Sequence, residues 1–147
     1  MGSHPRVFAS ATRVATVDGT GIHLLTVELW NAEQVSVRLV GDLDDRMRSA
    51  LASYHEAMES WAPELGRDLL PVSPADALHR ALEVRLADEY GTEFRYDSGS
   101  SGGTGRELLC EWHFRPSPPL RGDRLTLTFI VSGAEGVGSS MQVVFSE

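Results

Sequence analysis

The side chains that could carry chemistry in this chain are few. There are five histidines (His4, His23, His55, His79 and His113), one cysteine (Cys110), an acidic run at Asp42, Asp44 and Asp45, and the glycine-serine stretch DSGSSGGTGRE from Asp97 to Glu107. All 13 basic residues are arginine, which excludes the lysine of a Walker-type phosphate loop and Schiff-base catalysis. A phosphate cradle in the glycine stretch needs glycines at set intervals, then a helix whose first amides face the anion. Counting on from Gly99, the required glycine is Thr104; Gly103 and Gly105 begin a G-x-G whose next glycine slot is Leu108. The text that follows, ELLCEWHF, alternates like a strand. The stretch is therefore expected to be a hairpin loop joining TEFRYD to ELLCEWHF, with glycines supplying positive φ.

The other candidates fare no better. No two histidines stand four apart, so a zinc site would have to be gathered from distant residues, such as Glu111 and His113 on one strand face with His23. A single cysteine rules out an internal disulfide and any multi-cysteine metal cluster. Cys110 alternates in phase with Trp112 and Phe114, which points it into the core, while His113 points the other way. No strand-turn-helix context presents a serine as a nucleophile elbow. The acidic run lacks the closing glutamate of a calcium loop and suits a helix start instead. On this reading no residue is assigned to catalysis, to a metal or to a cofactor.

The elements that would position these residues follow from hydrophobic period. Residues 6–17 read as a strand, DGTG at 18–21 as a turn, and IHLLTVELW as a strand with Leu25, Val27 and Leu29 inward and Thr26, Glu28 and Trp30 outward. After the turn NAEQ, Val35, Val37 and Leu39 point inward, with Ser36 and Arg38 outward. The period then changes. Met47, Leu51, Tyr54, Met58 and Trp61 recur at steps of four and three, one face of a helix over about 42–62 with Asp42 as N-cap and Pro63 at its exit. Ser73, Pro74 and Asp76 open a short second helix over about 74–80. Strand patterning returns with Leu82, Val84 and Leu86, then Phe94 and Tyr96, then Cys110, Trp112 and Phe114. PSPPLRGD is a crossover. Leu125, Leu127, Phe129 and Val131 form the next strand, and Met141, Val143 and Phe145 the last. The expected fold is mainly β, an antiparallel β-sandwich of about eight strands with an inserted amphipathic helix. It forms a single domain over 1–147, with a helical insertion at 42–78. Residues 1–4 include Gly-Ser-His, the kind of remnant a purification tag leaves.

LADEYGTEFRYDSGSSGGTG followed by EWHFRPSPPLRGDRLTLTF resembles the second half of telokin-like, immunoglobulin-type domains of uncharacterised bacterial proteins. Asp88, Gly91, Phe94, Trp112, Phe114, Pro116, Leu125 and Leu127 match the pattern, and GIHLLTVELW is similar to an early strand of the same domains. The resemblance spans roughly two thirds of the chain and departs from it over 42–78. It implies that the sandwich is immunoglobulin-like and brings no catalytic residue.

Composition narrows the partners. A net charge of −8 works against nucleic acid. No apolar run reaches the roughly 18–20 residues of a membrane helix, and no signal-peptide core is visible, so a cytoplasmic setting is expected. The expected function is a non-enzymatic interaction domain that binds a protein partner, or itself, through a sheet edge or the helix face. Trp30, Met47, Leu51, Tyr54, Met58 and Trp61 are the candidate surface. The alternative is a small-molecule binder or hydrolase with a pocket between helix and sandwich, near Tyr54, Trp61, Glu111 and His113.

Overall fold

The computed structural model describes residues 4–102, 108–133 and 137–145. The chain runs β1 (Arg6–Ala9), β2 (Arg13–Val17), β3 (Thr20–Trp30), β4 (Gln34–Gly41), α1 (Asp45–Ser60), α2 (Pro74–Ala81), β5 (Leu82–Ala87), β6 (Glu93–Gly102), β7 (Leu109–Ser117), β8 (Arg124–Val131) and β9 (Ser139–Val144). One sheet has the order β1-β3-β4-β7-β6, with β2 also on β3; the other is β5-β8-β9. All pairings are antiparallel. The mainly β sandwich with a helical insertion matches the fold expected from the period of the sequence.

The inner face of the larger sheet is apolar. Val27, Leu29, Val35, Val37 and Leu39 are fully buried there, with Cys110, Trp112 and Phe114 beside them. The smaller sheet contributes Leu125, Leu127, Phe129 and Val143 to the same core. It covers part of the larger sheet, and α2 takes the space over β6 and β7. Ring stacking sets its position: His79 lies on Trp112 at 4.3 Å between centroids and 7° between planes. Its Nε2 is 2.9 Å from the Glu111 carbonyl oxygen, and the Cys110 thiol donates to the Ala75 carbonyl oxygen at 3.3 Å.

Several expectations need correcting. Residues 6–17 form two strands, not one, which raises the count from about eight to nine. A bulge in β3 turns Leu25 outward and gives the buried place to Leu24, so the facing chain breaks at Ser10–Thr12. There the Ser10 and Thr12 hydroxyls share a hydrogen bond, and the Thr12 amide donates to Ser10 Oγ at 3.0 Å. Asp44, not Asp42, caps α1, its Oδ1 accepting from the Met47 amide at 2.8 Å; Asp42 instead meets His23 Nε2 at 3.0 Å. The second helix begins as expected, with Ser73 as cap and Pro74 in its first turn. Two short 3-10 turns, Pro63–Leu65 and Arg67–Leu69, fill the link between the helices.

The glycine stretch also differs from expectation. Residues 97–102 are not loop but the second half of β6, paired with β7 across a bulge between Tyr96 and Ser98; residues 103–107 lie outside the described part of the chain. Gly99 sits opposite Trp112, where a Cβ would come within 2.7 Å of His79 Nε2. The Tyr96 hydroxyl lies nearer still, so glycine is favoured there by that side chain and the helix packed above it, not by a turn.

Candidate functional site

Two places bring polar or apolar side chains together in a manner that invites a function. The first is the outer face of the larger sheet. On strands β3, β4 and β7 the residues alternate with the buried core set, so Thr26, Glu28, Ser36, Arg38, Glu111 and His113 stand on the opposite face. They form one network. Ser36 Oγ is 2.7 Å from His113 Nδ1, and His113 Nε2 is 3.4 Å from Glu111 Oε2. Arg38 Nη1 reaches Glu28 Oε2 at 3.2 Å, and its Nε lies 3.4 Å from Glu111 Oε1. The Thr26 hydroxyl donates to Glu28 at 3.2 Å, and Gln34 Nε2 donates to Ser36 Oγ at 3.3 Å.

Serine, histidine and glutamate in line have the composition of a hydrolytic triad. The surroundings do not match. Ser36 is 2% exposed, so its hydroxyl is closed to a substrate. Acyl transfer also needs amide donors about 3 Å from the developing oxyanion, whereas strand amides lie in the plane of the sheet and here join the β3–β4–β7 ladder. The cluster instead satisfies Glu28, which is only 7% exposed and would be costly to bury without Arg38 and Thr26. Among the described residues no three of His, Cys, Asp and Glu lie close enough to hold a metal ion; His23, engaged with Asp42, does not join Glu111 and His113. Cys110 faces the core at 2% exposure, and burial first, then the charge of Asp76, pushes its thiol up to about 12. A thiol so protonated is a poor nucleophile. Residues 99–103, GSSGG, do spell G-x-S-x-G, yet Ser101 lies within β6 and its hydroxyl donates to Asp76 Oδ1 at 3.4 Å, far from any nucleophile elbow.

The second place is a groove of about 460 Å³ between the helices. Met47, Ala50, Tyr54 and Ala57 of α1 form one wall; Pro71, Val72, Pro74, Ala77, Leu78 and Ala81 form the other. Val17, Asp18 and Arg46 close one end. The groove exists because α1 is held mainly over its first two turns, where Met47 and Leu51 pack against the core. Arg46 Nη2 donates to the Val17 carbonyl at 3.2 Å and to the hydroxyl of Thr20 at 2.5 Å, and Thr20 donates to Asp44 Oδ2 at 3.2 Å. Beyond Met47, no residue of α1 is fully buried.

No family model matches this chain, nor does any curated protein or solved structure compared with it.

The sequence-derived surface is divided by the fold. Leu51, Tyr54, Met58 and Trp61 do share the half-buried side of α1, and Trp61 Nε1 donates to the Gly66 carbonyl at 3.2 Å. Met47 is 4% exposed and belongs to the core. Trp30 stands on the outer face at the far end of β3 from Thr20, where α1 is anchored, a distance of roughly 30 Å at strand rise. Glu111 and His113 are likewise on the opposite side of the sheet from the groove. The groove's second wall, Pro71 to Ala81, carries no motif; only the small side chains of Ala77 and Ala81 facing α1 hint at it.

Proposed function

We propose that the protein is a non-enzymatic interaction domain that takes an apolar segment of a protein partner into the groove between α1 and α2. The observation that supports this is the apolar lining of the groove, which includes exposed Val72 and adjoins exposed Leu70 beside Tyr54. Contiguous exposed apolar surface of this kind marks sites of association. A second reading, a small apolar ligand in the same groove, is favoured by its volume, which falls in the range of ligand pockets. Kinship with telokin-like immunoglobulin-type domains belongs to the proposal. The Asp88–Gly91 stretch that carries part of the resemblance is a turn, in which Asp88 Oδ1 accepts from the amides of Tyr90 and Thr92 at 3.0 Å each and Gly91 has φ +70°. A cytoplasmic setting is part of it too.

Selection from a displayed random-peptide library tests the proposal, with Ala77→Trp as the counter-screen because it fills the groove from an exposed position. Apolar peptides that bind the wild type and lose binding to Ala77→Trp support it. Peptides that bind both equally, or none at all, overturn it. Saturable binding of a long-chain aliphatic probe, lost in Ala77→Trp, with no peptide selected, favours the second reading.

A further inference from the structure

Strand β6 is the last strand of the larger sheet and has ten residues. The other edges are shorter: β1 has four residues, β2 five, β5 six and β9 six. Among the described residues, the backbone of β6 bonds to no strand but β7. Short strands are one way in which proteins keep edges from pairing; β6 lacks that protection.

Its side chains carry a symmetric pattern. Glu93, Arg95 and Asp97 alternate in charge along the outer face, the bulge having turned Asp97 to the same side as Ser98. Asp97 Oδ2 lies 3.4 Å from Arg115 Nε on that face. Arg95 stands directly opposite Arg115, a like-charge juxtaposition that costs stability when nothing neutralises it. Arg115 has Asp97; Arg95 makes no ion pair with a described residue. On the inner side Tyr96 packs its edge against Phe114 at 5.8 Å yet is 51% exposed.

We propose that a second copy of this chain adds to β6, antiparallel and about a two-fold axis at Tyr96, so that the two larger sheets become one. In that register Arg95 of each copy faces Asp97 of the other. The two Tyr96 rings meet at the centre, and each unpaired Arg95 gains a carboxylate. Cross-strand ion pairs and aromatic pairs are the contacts that set strand register. The surface is distinct from the groove between the helices, so the two sites operate independently.

Sedimentation of the full chain over rising concentration tests this, with two single variants and their mixture. The wild type is expected to move from 16.1 kDa toward twice that mass. Arg95→Asp and Asp97→Arg each place like charges opposite one another and are expected to stay at monomer mass. Mixed in equal amounts they become complementary at both ion pairs and are expected to recover the dimer. Circular dichroism on each variant confirms that the fold is intact. A wild type that stays monomeric at every concentration overturns the proposal. So do single variants that dimerise as well as the wild type, or a mixture no heavier than its components.

Discussion

Helix α1 has sixteen residues and buries one of them, Met47; helix α2 has eight and buries three, Pro74, Ala75 and Leu78. What separates them is the surface beneath. Under α2 lies the inner face of β6 and β7, where Trp112 offers a flat ring to His79, Gly99 leaves space for it, and Cys110 bonds the Ala75 carbonyl. Under α1 lies no sheet, only the side of α2 across an open groove; its polar anchors lie at its start, and Met47 and Leu51 are the side chains it packs against the core. Helical spacing thus defines a face, while the position of the sheet decides whether that face is covered. The uncovered half of α1 is the reason a binding function is proposed there.

The contrast breaks first at Trp112. Trp112→Ala removes the ring on which α2 rests and leaves a cavity beneath it, with an expected cost of about 3–5 kcal/mol in denaturant unfolding. Because Cys110 lies under the same helix, its labelling by a thiol reagent should accelerate in this variant. Labelling as slow as in the wild type would mean that α2 is held by something other than the stack.

A smaller effect is expected at the base of α1. Arg46→Ala leaves the fully buried Thr20 hydroxyl without its donor and the Val17 carbonyl without the guanidinium, a loss of about 1–3 kcal/mol. Met58→Ala, only four residues before the link, serves as its control and should cost less than about 1 kcal/mol because that side chain is half exposed. Equal costs at the two positions would show that α1 is docked along its whole length, and the groove would then be no binding surface.

Much of this was legible in the residues, and what was not has identifiable causes. Alternation placed Val35, Val37 and Leu39, and again Cys110, Trp112 and Phe114, because burial on one sheet face imposes period two on any chain that satisfies it. Bulges at Leu25 and Asp97 escaped because each depends on a partner strand that local sequence does not contain. Asp42 and Asp44 are equivalent as caps on paper. Only the approach of Thr20 and Arg46 to Asp44, and of His23 to Asp42, separates them. Alternation put Glu111 and His113 on one face, but Ser36 joining them was invisible for the same reason: it lies 77 residues from His113, on a strand that becomes a neighbour only through the order of the sheet. The groove is hardest of all to foresee, since it records a contact that the helix fails to make.

An effect that vanishes at neutral pH sharpens the comparison from below, because it reports how dry the underside of α2 is. In the folded chain the Cys110 thiol is pushed up to about 12 from its ordinary 9.0, by burial and then by the charge of Asp76. Below pH 9 both folded and unfolded chains keep the proton, and the thiol contributes no pH dependence. Above it the unfolded chain ionises while the folded one does not, so stability falls as pH rises toward the folded value, by about 1.4 kcal/mol per pH unit at most. Any other group that changes charge in this range is present equally in Cys110→Ala. The stability of the wild type relative to that variant should therefore decline between pH 9 and 11, and the difference should be flat below 9. A difference that stays flat throughout would place water at the thiol, and α2 would then be no better seated than α1.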